Sequence, residues 1–261
     1  MEIITSRDNK SVKLIRKLKD KKYRDELGMY LIEGPNLLLE AIKTNEEIVL
    51  VGIDPDTKDI DEVKTITEIL QDRVAVFSPD IFSSLADTVT PQNILAVIKK
   101  SNKPLDISGK RYVILDELQD PGNVGTIIRT AEAAGFTGIV AVKGTADIYS
   151  SKVVRAAAGS LFRINIIEAG NKEDVISFAR NKDLKLYACD SHSRTPYTDA
   201  DLRENVGLII GNEGNGVCSF FMTECESIMI PMKQETESLN ASVSAGIIIY
   251  ESVRQLERNK K

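Results

Sequence analysis

The chain is expected to fold as an α/β protein in two parts, and three features of the sequence lead there. Short apolar runs alternate with stretches whose apolar residues recur at helical spacing, the pattern left by strands and helices following one another. A polar segment at 99–110, with Pro104 and Gly109, interrupts that alternation, and a second block begins it afresh. At 261 residues there is enough chain for two ordinary domains, each with its own core. We place the domains at 1–100 and 107–261, with 101–106 as the linker. In the second domain, 206–210 is apolar at nearly every position, the signature of a strand buried on both faces, so its sheet is expected to be mostly parallel.

In the first block, Val12, Leu14, Ile15 and Leu18 sit at helical spacing and predict one amphipathic helix through the opening segment. A short strand at 29–33 follows. Gly34-Pro35 opens a helix that runs to about residue 43, because proline is pre-set for the first helical position. An apolar strand at 47–53 is ended by Asp54-Pro55. A helix at 61–70 and strands at 74–77 and 94–98 complete the block. In the second block, a strand at 112–115 leads through a Pro-Gly turn into a helix over 124–134, closed by Gly135 at the position after its cap. Strands are predicted at 138–142, 162–167, 184–188, 206–210 and 227–230. Helices are predicted at 151–158, 172–181 and, at the end, about 240–257.

Composition narrows the chemistry. Cys189, Cys218 and Cys225 form no C-x-x-C pair, and His192 is the one histidine, so neither a zinc site nor a Cys-His nucleophile pair has its residues. A Ser-His-Asp triad lacks the G-x-S-x-G turn that would present its serine. No apolar run approaches the roughly 20 residues of a membrane span. The opening residues lack the apolar core of a signal peptide, so a cytoplasmic location is expected. The net charge is −5, yet between Arg7 and Arg24 nine cations face two carboxylates. Such a focused basic stripe is either a solvated helix face or a footprint for phosphates. Its candidate RNA contacts are Arg7, Lys10, Lys13, Arg16, Lys17 and Lys21.

Ligands of open α/β sheets bind beyond the carboxyl ends of strands, and three such ends carry unusual residues. The first runs Asp120-Pro121-Gly122-Asn123-Val124-Gly125 into Arg129-Thr130-Ala131. On a helical wheel Val124, Ile127, Ile128, Ala131 and Ala134 share one side, and Arg129 points nearly opposite, toward solvent or a ligand. The second is Gly211-Asn212-Glu213-Gly214-Asn215-Gly216, whose glycines admit close approach to the backbone. It matches neither the dinucleotide fingerprint nor the P-loop. The third is Ile230-Pro231-Met232 followed by Ser238-Leu239-Asn240-Ala241-Ser242, where Ser238 or Asn240 can cap the last helix. Ile247 to Tyr250 make that helix apolar on more than one face, as burial against a second subunit or within one large domain would require.

In this order and at these gaps, the three segments resemble the signature motifs of the SpoU/TrmH family, within the SPOUT class of methyltransferases. The first block is similar to the family's ribosomal-protein-like substrate-binding domain through Ile4-Thr5-Ser6, the basic stretch, 30–34 and 88–92. The chain departs from the family pattern at Asn93, where glycine is common but asparagine also tolerates positive φ, and at Ala241. The resemblance implies a C-terminal trefoil knot, S-adenosylmethionine (SAM) as methyl donor, a homodimer through the knot and last helix, no metal, and transfer to a ribose 2′-hydroxyl of structured RNA. It favours ribosomal over transfer RNA. It implies that Gly211, Asn212, Gly214, Ile230, Met232, Ser238 and Leu239 hold the cofactor, and that Arg129, Asn123, Glu213 and Asn240 form the catalytic set. A guanidinium keeps its proton, so Arg129 is expected to clamp a substrate phosphate and orient the hydroxyl, with the proton leaving to that phosphate, to water or to Glu213. A non-catalytic RNA-binding protein, a Rossmann-type enzyme and a base methyltransferase are the competing readings.

Overall fold

The computed structural model describes residues 2–57, 60–87, 92–100, 108–233 and 238–258. The expected linker at 101–106 lies outside them, as do residues 88–91 of the 88–92 pattern. The chain divides into two units. One takes the described residues up to 100 together with 149–162, and the other takes 108–148 and the residues from 163 on. The first unit is thus made from two stretches of chain, the second of which no feature of the sequence singles out.

In the first unit, β1 (Ile3–Ile4), α1 (Lys10–Lys17), α2 (Lys21–Leu27), β2 (Met29–Glu33), α3 (Pro35–Lys43), β3 (Ile48–Ile53), α4 (Asp61–Ile69), β4 (Val74–Phe77), α5 (Pro79–Leu85) and β5 (Ile94–Lys99) follow in order. The sheet runs β1-β4-β3-β5-β2 and is mixed, because β5 lies antiparallel to both β3 and β2. Apolar clusters cover its faces, one including Val51, Ile66 and Ile98, the other Val12, Ile15 and Phe82. Asn93 has φ 57, so asparagine does accept the left-handed turn where the family favours glycine.

The basic stretch forms two helices where the sequence predicts one. The first ends at Lys17, and Asp20 caps the second by accepting the Lys22 N–H at 2.9 Å. The buried Arg24 guanidinium donates to the carbonyls of Leu18 (2.7 Å) and Lys19 (2.8 Å), which α1 leaves open at its end.

The second unit holds β6 (Arg111–Asp116), α6 (Pro121–Ala133), β7 (Gly138–Val142), β8 (Asn165–Ala169), α8 (Lys172–Asn181), β9 (Lys185–Cys189), β10 (Val206–Gly211), α9 (Ser219–Glu224), β11 (Glu226–Ile228) and α10 (Ala241–Arg258). Helix α7 (Ser151–Ala157) belongs to the first unit. The sheet order is β11-β9-β10-β6-β7-β8, and every neighbouring pair is parallel. Helix α6 starts three residues earlier than periodicity suggests, with Pro121 at its first position and Asp120 capping the Asn123 N–H at 2.7 Å. The strand expected from 162 starts at Asn165, because Ala158 (φ 47) and Gly159 (φ 87) turn the chain into a 3₁₀ turn first. The last strand ends at Ile228, and beyond it Met229 makes a lone bridge to Pro196. Helices α5 and α9 are elements that the sequence reading does not predict.

A candidate active site at the ends of four parallel strands

Register brings four strand ends to one edge of the second sheet. Gly211 pairs with Asp116, and Cys189 pairs with both Ile210 and Ile228. The loops leaving β6, β9, β10 and β11 therefore emerge side by side, where ligands of parallel sheets collect. Three of these loops are the segments singled out by sequence.

Hydrogen bonds join them into one continuous relay. The Glu213 carboxylate accepts from the Gln119 N–H (3.0 Å), the Asp120 N–H (3.1 Å) and Asn123 Nδ2 (3.0 Å). Asn123 Oδ1 accepts from Asn240 Nδ2 at 3.0 Å. Asn240 Oδ1 in turn caps α10, accepting from the Ser242 N–H at 2.9 Å and the Ser242 hydroxyl at 2.6 Å. Each asparagine uses both ends of its amide, which fixes the direction of the whole relay. Asn212 ties the glycine loop at both ends. Its Oδ1 accepts from Gly214 (2.9 Å) and Asn215 (3.1 Å), while its Nδ2 donates to the Glu117 carbonyl at 2.9 Å. Buried Asp116 accepts from the Cys218 N–H at 2.8 Å and fastens the loop's far end.

Those bonds also set the electrostatics of Glu213. Partial burial works to raise its pKa, but donation from Asn123, Gln119 and Asp120 outweighs it and holds the carboxyl below its ordinary value of 4.5. With three donors already on it, the group is a clamp between the second motif and the start of α6. A depressed pKa stabilises the fold above pH 4.5, and the contribution is lost as pH falls through the folded-state value. Melting temperatures measured through this acid range are expected to fall more steeply for the wild type than for Glu213→Gln. Parallel curves would show the clamp contributes nothing.

Beside the relay lies a cleft of about 590 Å³. Gly211, Asn212, Gly214, Ile230, Met232, Ser238 and Leu239 all line it, as do Glu213 and Asn240. Asn123 stands behind them, buried, and reaches the rim through its two bonds. Arg129 does not line the cleft. It projects from the outer face of α6, exposed, with no hydrogen bond or ion pair among the described residues. Sequence reasoning missed one wall, formed by Cys189, Asp190, Ser191 and His192 after β9. The same strand-end rule could have found it, since β9 neighbours β10. The imidazole is exposed and meets only its neighbours Asp190 (3.4 Å) and Ser191 (3.3 Å), while desolvation pushes the Cys189 thiol up to about 12, so neither is poised as a nucleophile.

In the first unit, the basic stripe divides by partner. Lys13 pairs with Asp8 at 2.9 Å and Lys21 with Asp25 at 3.1 Å. Arg16 reaches the Ser84 hydroxyl at 3.3 Å, and Lys19 caps the end of α5 through Ser84 and Ala86 carbonyls while pairing with Asp87 at 3.0 Å. Arg7, Lys10, Lys17 and Lys22 are exposed, and none has a carboxylate partner among the described residues.

Two family models match the chain: the SpoU rRNA Methylase family over residues 110–250 and the MRM3-like substrate binding domain over 9–96. The chain is 33% identical over 251 residues to the 23S rRNA (guanosine(2553)-2′-O)-methyltransferase RlmP of Bacillus subtilis, covering 96% of this chain and 98% of that one. Among solved structures it is similar to an AdoMet-bound rRNA methyltransferase from Sinorhizobium meliloti, with TM-score 0.85, 32% identity and 98% of each chain covered. It is also similar to the SpoU methyltransferase AviRb from Streptomyces viridochromogenes, with TM-score 0.86, 26% identity, 96% of this chain and 99% of that one covered.

Proposed function

The chain belongs to the SpoU rRNA methylase family, and from that premise we propose that it transfers the methyl group of SAM to a ribose 2′-hydroxyl of ribosomal RNA in the cytoplasm. The observation that carries the reading is the Glu213–Asn123–Asn240 relay, which joins all three motifs at the rim of one cleft.

The cleft suits SAM in size and in kind. Its volume falls within the range of small-molecule sites, and its lining mixes apolar side chains, Ile230, Met232 and Leu239 among them, with main chain and polar groups of the glycine loop. Gly211, Asn212, Gly214, Ile230, Met232, Ser238 and Leu239 would hold it. When bound, SAM supplies an electrophilic methyl on a sulfonium. The chain's own contribution is placement, because in-line displacement needs the attacking oxygen held in line with the methyl. Arg129 carries a fork of donors that no protein group engages among the described residues. We assign it the substrate phosphate beside the target ribose, with the hydroxyl proton passing to that phosphate or to water. Asn123 and Asn240 set the distance between α6 and the cleft rim.

Because Arg129 stands outside its own subunit's cleft, we place it at the cleft of a second copy, in a homodimer closed by α10. Val243 and Tyr250, 51% and 52% exposed on that helix, support such an interface. The trefoil knot implied by the family belongs to the same proposal.

The deciding experiment is transfer of labelled methyl from SAM onto separated ribosomal and transfer RNA from a strain lacking the protein, with the methylated nucleotide mapped by mass spectrometry. Label on ribosomal RNA ribose is expected, and label on a base or on transfer RNA overturns the assignment. The 2′-hydroxyl also makes DNA a non-substrate. For binding, the partner pattern of the basic stripe sets an order. Glutamate at Lys10 and Lys17 is expected to weaken RNA binding more than glutamate at Lys13 and Lys21, whose charges carboxylates already offset. Each phosphate that a variant no longer neutralises should lower the salt slope by about 0.7–0.9. SAM affinity, measured by calorimetry, stays unchanged. Equal RNA affinity for all variants would reduce the stripe to a solvated surface.

A further inference from the structure

We infer that Tyr23, with Lys17 and Lys22 beside its ring, is a docking platform for an unpaired nucleobase of the RNA. The inference rests on the RNA-binding reading of the basic stretch and goes beyond it, from phosphate attraction to recognition of a single-stranded base.

Tyr23 lies on α2, partly buried, just past the break between the two basic helices. Lys17 Nζ is 5.4 Å and Lys22 Nζ 5.8 Å from the centre of its ring. Both distances lie within cation–π range. The other long cations around it have partners that explain them: Arg24 and Lys19 close helix ends, and Lys13 and Lys21 pair with carboxylates. Lys17 and Lys22 have the ring and no carboxylate among the described residues. Two ammonium groups beside one ring, neither with a carboxylate partner among the described residues, leave a local excess of positive charge. An anion held by both would offset it.

RNA supplies the anion and a flat π-surface in the same nucleotide. A phosphate that draws Lys17 and Lys22 off the Tyr23 ring would open it to the attached base, and aromatic rings flanked by basic groups are how proteins hold single strands. Both faces of a base inside a helix are covered by its neighbours in the stack, so only an unpaired base can use the ring. The break at 18–20 matters here. In one continuous helix Lys17 and Tyr23 would be six residues apart and on different faces, whereas Asp20 turns the chain so that both meet.

The test uses the full-length protein, an RNA hairpin with an unpaired loop and a fully paired duplex of equal length. Tyr23→Leu is expected to lose about tenfold in affinity for the hairpin and nothing for the duplex, while Tyr23→Phe stays within about twofold on both. The salt slope of Tyr23→Leu should match the wild type, because every cation that neutralises a phosphate is still in place. A hairpin carrying 5-iodouridine in its loop should photo-crosslink to Tyr23 in the unmutated protein, a readout independent of how the variants fold. Equal loss on hairpin and duplex, or no crosslink at Tyr23, overturns the platform. No change for Tyr23→Leu together with weak binding by Lys17→Glu also overturns it while leaving phosphate attraction standing. If Lys10→Glu and Lys17→Glu are silent as well, the RNA-binding reading of this stretch falls with it.

Discussion

Arg129→Gln is expected to lose about a thousandfold in turnover, the upper end of what removal of one transition-state interaction costs. The SAM affinity should not change, because Arg129 does not line its own subunit's cleft and the contact assigned to it is with the RNA phosphate. RNA affinity should drop only a few-fold, since the proposed phosphate contacts of the basic stripe are untouched by the substitution. A positioning role makes two finer statements. Arg129→Lys keeps the charge but not the planar fork, so it should recover little. Raising the pH should not restore the glutamine variant, because no arginine proton is removed in the wild-type reaction. The location of Arg129 adds a test by mixing. If each guanidinium serves the opposite subunit, inactive Arg129→Gln combined with an inactive cleft variant should regain about a quarter of wild-type activity after subunit exchange, since half the dimers are mixed and each of those has one working site. If the mixture stays dead, Arg129 serves its own subunit. If Arg129→Gln turns over normally on normally bound RNA, the residue has no part in the reaction.

Gly211→Ala is expected to abolish SAM binding and lower stability by about 3 kcal/mol, as overpacking against rigid groups does. A methyl on Gly211 would lie 2.1 Å from the Gly216 carbonyl carbon and 2.2 Å from the Val217 nitrogen. These are backbone atoms, which cannot swing aside as a side-chain tip does. Relief requires the glycine loop to open or the end of β10 to leave its partner Asp116, and either motion deforms the cleft floor. Gly214→Ala is the matched control. It lines the same cleft, but its added methyl would meet nothing nearer than Asn212 Oδ1 at 3.6 Å, an ordinary van der Waals distance. Calorimetry should find its SAM affinity within a few-fold of wild type. Similar losses at both positions would mean that the requirement is for flexibility along the loop and not for close packing at one point.

The legible parts of this molecule are those set by local chemistry. Periodicity places Arg129 on the outer face of α6 because burial of Val124, Ile127 and Ile128 decides which way the helix turns. Asn93 adopts the left-handed turn because that tolerance is a property of its own side chain. Other features depend on partners distant in sequence. Nothing in Glu213 itself says that Gln119, Asp120 and Asn123 donate to its oxygens. Arg24 counts as one more surface cation until α1 is found to end beneath it. The wall after β9 carries residues ordinary in themselves, and only strand order makes them part of the cleft. The segment 149–162 packs with the first unit because Val154 and Tyr149 join that unit's apolar cluster, a choice made by shape and not by composition.

The bond from Asn240 to Asn123 spans 117 residues of chain. A ribosome delivers Asn123 long before Asn240, and segments fold in the order they emerge. Until the later residue is released, Asn123 can reach Glu213 but its Oδ1 lacks the donor from the third motif, and the cleft lacks Ser238, Leu239 and Asn240. A nascent chain can therefore carry a folded first sheet while the cleft proposed for the methyl donor is still incomplete.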